Sequence, residues 1–291
     1  MLACVVAVSA QEASPGSVAD ADQPSRVSAF HPETGKPDTT LTSRPSAGAA
    51  HPLANVVKFA RQEQAYLRQT VQDFTCRLVK RERIDGLLQD YNFIDMKVRE
   101  PLREGTTAVP FSIYLRFLAP PKVAGRQALY VEGQNNGKML VRNGGKHFDY
   151  VVVDIDPEAE SVKRESLMPI TRTGFNDMLV DMIKVLQRHM KADPSGANTL
   201  VSKTAGAKIN KRPCTLLRIV HPNQQKGLEC HLVNVYVDDE LHAPVRIEYY
   251  DWPKSKGQVP PLVAEYTYTQ LKINVGLTDE DFDRAALRAK K

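Results

Sequence analysis

Two segments of the chain carry apolar residues at the spacing of a helix with one buried face. In the first, apolar side chains recur from Leu53 to Val71, and Pro52 suits the first turn of a helix. In the second, the apolar ladder comprises Phe175, Met178, Leu179, Met182, Ile183, Leu186 and Met190. Asp193-Pro194 follows, and proline cannot continue the hydrogen-bond ladder of a helix. The pattern therefore predicts two amphipathic helices.

Most of the remaining chain alternates apolar and polar residues with the period of a half-buried strand. Between Phe111 and Phe117, for example, every second residue is large and apolar. Asp85-Gly86 is a strong hairpin turn signal between two such runs. Eleven runs are predicted to be strands: 73–83, 88–99, 111–117, 126–132, 138–142, 148–153, 199–208, 213–221, 229–238, 243–250 and 262–274.

These elements predict a mainly β protein of the α+β class. Turn signals recur at the spacing of an antiparallel sheet, and strands do not alternate with helices as they do in parallel sheets. Two amphipathic helices with no helical bundle to join must pack on the sheet. We therefore expect an open antiparallel half-barrel of about eleven strands, with the two helices packed on its concave face. A closed barrel and a sandwich are the alternatives.

The first fifty residues differ in composition from the rest of the chain. Residues 1–10 are an apolar run that ends in a small-x-small pattern, which is typical of signal-peptide cleavage sites. We interpret them as the remnant of a secretory signal peptide, although the usual basic N-terminal region is missing. Residues 11–50 are rich in small and polar residues and are predicted to be a disordered linker. A single half-barrel domain at 51–285 and a frayed tail at 286–291 complete the organisation.

A signal peptide implies a periplasmic or secreted protein. No later stretch approaches the ~20 apolar residues of a membrane-spanning helix, so the mature chain is expected to carry no transmembrane segment. Cys76, Cys214 and Cys230 remain after the signal peptide. An odd number of cysteines in an oxidising compartment allows at most one internal disulfide, and the sequence leaves its pairing open.

Composition and motifs argue against an enzyme. The chain is 42% hydrophobic and 25% charged, and its net charge of +5 is spread out, so no nucleic-acid partner is expected. We find none of the common motifs for nucleophilic catalysis, catalytic zinc or phosphate binding, and we expect no cofactor and no metal. Cys230 and His231 lie near His221, but neighbouring strand residues point to opposite faces. Glu248 and Glu265 could form an acid/base pair, although most strand carboxylates face water.

Aromatic residues and methionines offer two interpretations. The first is that they fill the core. The second is that some of them line an apolar groove between the sheet and the second helix, since methionine lines adaptable apolar surfaces well. The groove residues predicted from strand alternation and helix phase are Phe111, Leu115, Phe117, Tyr130, Met178, Met182 and Leu186.

Several short motifs occur in the order found in a family of exported bacterial proteins. They are the run 73–83, Tyr130-Val131-Glu132-Gly133, Arg212-Pro213-Cys214-Thr215, Val237-Asp238-Asp239-Glu240-Leu241, Pro244-Val245-Arg246, Tyr250-Asp251-Trp252-Pro253 and Glu265-Tyr266-Thr267-Tyr268. Over about residues 53–285 the chain resembles the family known as domain of unknown function 1571. That family supplies no catalytic residues. Its layout is similar to Lol-type periplasmic lipoprotein carriers and to a sensor domain of the envelope stress response.

The resemblance implies a half-barrel whose concave face can hold acyl chains. We therefore expect a non-enzymatic, exported binding protein that holds lipid or an acylated polypeptide in the groove. The alternative is an envelope sensor or protein-interaction module that binds an envelope protein and no lipid. A hydrolase with an unrecognised site is the third hypothesis.

Overall fold

The computed structural model describes residues 50–104, 107–144 and 151–287. The predicted signal peptide at 1–10 and all but the last residue of the predicted linker at 11–50 lie outside these ranges. Within them, the chain forms three α-helices and fourteen strands.

The two long helices and one short helix have the bounds α1 (Leu53–Thr70), α2 (Glu160–Lys163) and α3 (Phe175–Ala192). The strands are β1 (Asp73–Ile84), β2 (Leu87–Leu88), β3 (Asn92–Arg99), β4 (Leu102–Glu104), β5 (Thr107–Val109), β6 (Ser112–Ala119), β7 (Gln127–Val131), β8 (Met139–Arg142), β9 (Val152–Ile155), β10 (Leu200–Ile209), β11 (Arg212–Val220), β12 (Leu232–Asp238), β13 (Pro244–Tyr250) and β14 (Leu262–Ile273). Single turns of 3₁₀-helix lie at Asn135–Gly137, Ile170–Arg172, Asp279–Phe282 and Arg284–Leu287.

Eleven strands form one antiparallel path in the order β10-β11-β12-β13-β14-β1-β3-β6-β7-β8-β9. In addition, β2 pairs with β1, and β4 and β5 form a separate hairpin. The two ends of the path, β10 and β9, are not paired with each other, so the described sheet is open. The predicted open antiparallel sheet is confirmed. Its centre is the pair of β1 and β14, which joins the two ends of the domain.

The hairpin that starts the sheet depends on its two turn residues. Asp85 and Gly86 have φ angles of 50° and 79°, in the left-handed region that glycine and, less readily, aspartate adopt. Both belong to the turn between β1 and β2. The predicted Asp-Gly turn is therefore present at the predicted position.

Both long helices cover the same face of the sheet, which we call the helix face. They also pack against each other, where Leu53 and Val56 of α1 meet Ile183 and Leu186 of α3. Further along, the helices share a second cluster with alternate residues of the strands. Its buried sheet members include Phe74, Cys76, Leu78, Ile94, Met96, Val98, Ile113, Ala128, Met139, Val141, Tyr266 and Tyr268. The apolar periodicity of both helices is thus explained by packing on one side of the sheet.

The opposite side of the sheet, the outer face, is partly covered by the end of the described chain. Phe282 and Leu287 pack against Leu129 and Val131 of β7. Leu287, which lies in the segment predicted to be a frayed tail, is only 1% exposed. Residues 288–291 lie outside the described ranges.

Candidate functional site

A cavity of about 310 Å³ lies between the helix face and residues 156–173, which we call the lid segment. Its floor consists of alternate residues from β1, β3, β6, β7 and β8, because the side chains of a strand point to one face at every second position. The apolar lining residues are Leu78, Ile94, Leu115, Phe117, Val123, Ala128, Met139, Val141, Ile155, Val162, Met168 and Ile170. We call this space the sheet–lid cavity.

A buried ion pair fixes the lid segment to the sheet beside this cavity. Lys80 Nζ donates hydrogen bonds to Glu82 Oε2 at 2.7 Å and to Ser166 Oγ at 2.6 Å. The side chains of Lys80 and Glu82 are 9% and 4% exposed. Glu82 Oε1 accepts hydrogen bonds from the backbone N–H of Leu167 at 3.1 Å and from the hydroxyl of Tyr266 at 2.7 Å. We call these five residues the lid latch.

The polar groups on the cavity wall are few. Lys80 belongs to the lid latch, and Arg126 donates to Glu165 of the lid segment at 2.6 Å. Uncharged polar groups are added by Asn92, Asn143, Ser161, Ser166 and Thr173. Each cation of the lining is therefore already paired with a carboxylate, and the remaining wall is mainly apolar. Such a surface suits an uncharged apolar ligand.

The structure distributes the seven predicted groove residues over three places. Leu115 and Phe117 line the sheet–lid cavity. Phe111 belongs to the core cluster that the helices share with the strands, and Tyr130 packs against it with the two ring centroids 6.4 Å apart. Met178, Met182 and Leu186 pack between the helices and the sheet and do not line this cavity. The sequence pattern predicted that α3 covers the groove, whereas the lid segment covers the sheet at this cavity.

Sequence reasoning missed the lid segment and the lid latch. The lid segment has only four residues of α-helix and no long apolar period, so no pattern marks it. One feature of the sequence does indicate the lid latch. Lys80 and Glu82 continue the even-numbered series of Phe74, Cys76 and Leu78 in β1, which places two charged residues on a buried face.

The two glutamates considered as an acid/base pair are buried on the outer face. Arg246 Nε donates to Glu248 Oε1 at 2.7 Å, and its Nη2 donates to Glu265 Oε2 at 2.5 Å. Tyr91 and Asn234 donate to the same carboxylates. The expectation that these carboxylates face water is wrong, because a guanidinium and the neutral donors of Tyr91, Asn234 and Tyr250 replace water around them.

The three described cysteines are free and buried at separate places, so no disulfide joins them in the structure. Cys76 lies on the helix face of β1, Cys214 pairs with Asp238 in the sheet, and Cys230 precedes the opposite end of β12. Burial raises the pKa of Cys214 to about 11 and that of Cys230 to about 12. Buried thiols of this kind are poor nucleophiles.

A pair of buried histidines joins the end of α3 to the sheet. His189 Nδ1 and His221 Nε2 are 3.0 Å apart, and His221 Nδ1 lies 3.3 Å from Thr199 Oγ1. Burial, with a contribution from the neighbouring His221, lowers the pKa of His189 to about 4. Among the described residues, no group of three or more histidine, cysteine or acidic side chains could hold a metal ion. None of the described helices has the length and apolar character of a membrane-spanning helix.

Three solved structures are similar to this chain at low sequence identity. A DUF1329 family protein from Desulfovibrio piger is 14% identical with a TM-score of 0.38, and the match covers 82% of this chain and all of the other. The match to the MucA/MucB complex of Pseudomonas aeruginosa has 14% identity and a TM-score of 0.45, and it covers 80% of this chain and 62% of the other. The match to a LolA superfamily protein from Nitrosomonas europaea has 10% identity and a TM-score of 0.30, and it covers 78% of this chain and 98% of the other.

The family of the chain follows from its sequence. A comparison with curated proteins finds no match to this chain. A family model described as "Protein of unknown function (DUF1571)" matches residues 71–290. That range contains all the strands of the sheet and most of the motifs on which the resemblance was based. The resemblance is confirmed, and the chain belongs to the DUF1571 family.

Proposed function

We propose that this protein is an exported, non-enzymatic binding protein that holds the apolar chain of a lipid or an acylated polypeptide in the sheet–lid cavity. The observation that carries the proposal is the cavity itself. Its volume of about 310 Å³ and its mainly apolar wall with a few polar groups match the usual character of small-ligand sites. The apolar lining makes binding favourable because it removes the ligand chain from water.

Electrostatics supports a ligand whose buried part is uncharged. Lys80 and Arg126 are paired with Glu82 and Glu165. An ionised group placed beside these pairs would have to break one of them or lose its hydration without compensation. An acyl chain linked through an ester or an amide avoids both costs. A periplasmic or secreted location fits the signal-peptide interpretation of residues 1–10 and is part of the same proposal.

The first test is native mass spectrometry of the full chain, purified from a bacterial periplasm without detergent, followed by solvent extraction. A stoichiometric lipid or acyl adduct supports the proposal and names the ligand class. The informative variant is Leu115→Trp, in which the larger side chain fills the cavity. It is expected to lose the adduct, because Leu115 lines the cavity.

Arg116→Trp is the matched control. Arg116 is the next residue of the same strand, and it is exposed on the outer face. This variant should keep the adduct. Loss of the adduct from both variants, or from neither, would contradict the proposed location.

One observation favours the alternative of a protein-interaction module. Within the described ranges β9 is the last strand of the sheet, and Val151 and Val153 beside its free edge are exposed. A partner could add a strand there. A clean mass without an adduct, together with no uptake of added phospholipid, would favour this function over ligand carriage.

A further inference from the structure

The three most exposed large apolar side chains of the described ranges lie at one end of the sheet. Val259 is 86% exposed, Leu87 is 70% exposed and Leu167 is 46% exposed. Apolar side chains that are exposed singly are normal on a protein surface, whereas their concentration at one place indicates a contact surface. We call this end of the sheet, where β1 ends and β14 begins, the rim.

Two of these side chains are brought together by Arg83, close to the end of β1. Its guanidinium donates to the backbone carbonyl of Gly86, next to Leu87, and to that of Leu262, both at 2.9 Å. Leu262 is the first residue of β14, and Val259 precedes it by three residues in the loop after β13. The turn between β1 and β2 and the loop between β13 and β14 are therefore neighbours.

The third side chain connects the rim to the sheet–lid cavity. Leu167 belongs to the lid segment, and its backbone N–H donates to Glu82 of β1 at 3.1 Å. The neighbouring Ser166 lines the cavity, and so do Glu165 of the lid segment and Asn143, which follows β8. In this antiparallel sheet β8 runs in the direction of β1, so Asn143 lies at the rim. Both Asn143 and Glu165 are exposed to solvent, so the cavity opens at the rim.

The loops of the rim carry positive charge. Residues 120–126, between β6 and β7, and residues 252–261, between β13 and β14, contain no acidic residue. Three lysines of these loops have no ion-pair partner among the described residues, namely Lys122, Lys254 and Lys256. Asp85 and Asp90 flank Leu87 and reduce the local excess of positive charge. The apolar side chains therefore supply most of the contact, and the lysines favour a partner with negative charge.

We propose that the rim docks on the surface of a phospholipid membrane that contains anionic lipids, with Leu87, Leu167 and Val259 inserted among the lipid headgroups. Exposed apolar side chains with basic residues beside them are the combination that holds proteins at the surface of an anionic membrane. The three side chains stand on separate segments and project into solvent, which suits insertion into a soft surface. The role of this docking rests on the proposed function, because it sets the opening of the cavity against a source of acyl chains.

The test is co-sedimentation of the full chain with vesicles made of equal parts of phosphatidylcholine and phosphatidylglycerol, and with vesicles of phosphatidylcholine alone. The unaltered chain should bind the anionic vesicles, and it should bind the neutral ones about tenfold more weakly, because the lysines are attracted by anionic lipids. Added salt should reduce this difference by screening the charges. Absence of binding to the anionic vesicles, or equal binding to both kinds, would overturn the inference.

A double variant locates the contact. Leu87→Asn together with Val259→Asn should weaken binding to the anionic vesicles by about tenfold or more, because two apolar side chains no longer leave water. Both positions are exposed, and thermal melting checks that the variant is folded. Val275→Asn is the matched control, since Val275 is also exposed but follows β14 at the opposite end of the sheet. Equal binding by the double variant and the unaltered chain, or an equal loss in the control, would refute docking at the rim.

Two further measurements separate this inference from the proposed function and from self-association. Leu115→Trp fills the cavity and leaves the rim unaltered, so it should bind vesicles as the unaltered chain does. Vesicle binding by a chain that never yields a lipid adduct would support docking and contradict only the function proposed for the cavity. An adduct without vesicle binding would contradict docking alone. Light scattering without vesicles should show no dimer that the double variant abolishes, because such a dimer would assign the rim to a second copy of the chain.

Discussion

The buried charges of this protein are held in place by named partners. The clearest case is Arg246, whose three nitrogens donate to Glu248, Glu265 and Thr267. Removing charges from water is costly, so such a group is stable only when its hydrogen bonds are satisfied. Loss of one member of this network leaves the remaining charges buried without compensation.

Replacement of Arg246 by methionine should lower the free energy of unfolding by about 3–5 kcal/mol, because it leaves two buried carboxylates without a counter-charge. Urea denaturation at neutral pH measures the effect. The matched control adds Glu248→Gln and Glu265→Gln to the same variant, and it should recover part of the lost stability. If Arg246→Met alone were as stable as the unaltered chain, water would have to reach these carboxylates.

The histidine pair predicts a loss of stability in mild acid. His189 has a pKa of about 4 in the folded chain, against about 6.5 in the unfolded chain, so the unfolded state binds more protons between these values. Its contribution to stability is complete above about pH 6.5 and is lost as the pH falls toward 4. Glu100, whose pKa is raised to about 7, acts in the opposite direction between about pH 4.5 and 7.

The comparison of His189→Gln with the unaltered chain isolates the histidine. Denaturation at about pH 7.5 and about pH 4.5 should show a smaller loss of stability in the variant, by on the order of 2 kcal/mol. His221 retains its own lowered pKa in the variant, so some acid sensitivity should remain. An identical loss in both proteins would rule out His189 as the titrating group.

At the scale of elements, the strands and the two long helices could be predicted from the sequence, whereas the sheet–lid cavity could not. Alternation and helical spacing are local properties, and they located α3 and ten of the strands to within a few residues. The lid segment has no such period, and Leu115 shares a cavity with Ser166 only after the chain has folded. Alternation of apolar and polar residues also predicts which residues of β13 share a face, but it does not predict which side chains surround Glu248 on that face.

The lid latch makes a prediction about one element. Ser166→Ala removes an acceptor of Lys80, so the lid segment should be held less firmly, at a cost of about 1 kcal/mol. Hydrogen exchange of the Leu167 amide, which donates to Glu82, should become faster. Ser161→Ala on the same segment is the control, and it should leave that exchange unchanged. Equal rates in all three proteins would mean that Ser166 does not hold the lid.

The start of α3 gives a second prediction about one element, which concerns Gly174. An added Cβ at Gly174 would lie 3.0 Å from both carboxyl oxygens of Glu100 and 2.9 Å from the ring of Phe111. Gly174→Ala should therefore cost about 1–3 kcal/mol through overpacking. Gly86→Ala is the comparison, since no atom lies within 4 Å of its added Cβ and only its positive φ opposes the change. Equal thermal stability of Gly174→Ala and the unaltered chain would show that Glu100 can move away.

For the whole molecule, the decisive feature is that β1 lies between β14 and β3. The strand nearest the N-terminus and the strand nearest the C-terminus pair at the centre of the sheet, from Phe74 opposite Ile273 to Glu82 opposite Ala264. Neither half of the chain can complete the core alone, because each half exposes the apolar face and the free edge of a central strand.

A chain that ends at residue 260 lacks β14 and should fail to fold. Size-exclusion chromatography and near-ultraviolet circular dichroism would show an expanded or aggregated chain. A chain that ends at residue 287 keeps every described element and is the control, with native elution and spectrum expected. A compact, cooperatively melting product from the shorter chain would mean that β1 and β3 find another partner.

The same pairing governs what happens during synthesis. Until residue 273 has been synthesised, the edge of β1 that pairs with β14 has no strand partner in the nascent chain. The central pair of the sheet therefore forms late in synthesis, and until then this free edge of β1 is open to pairing with other chains.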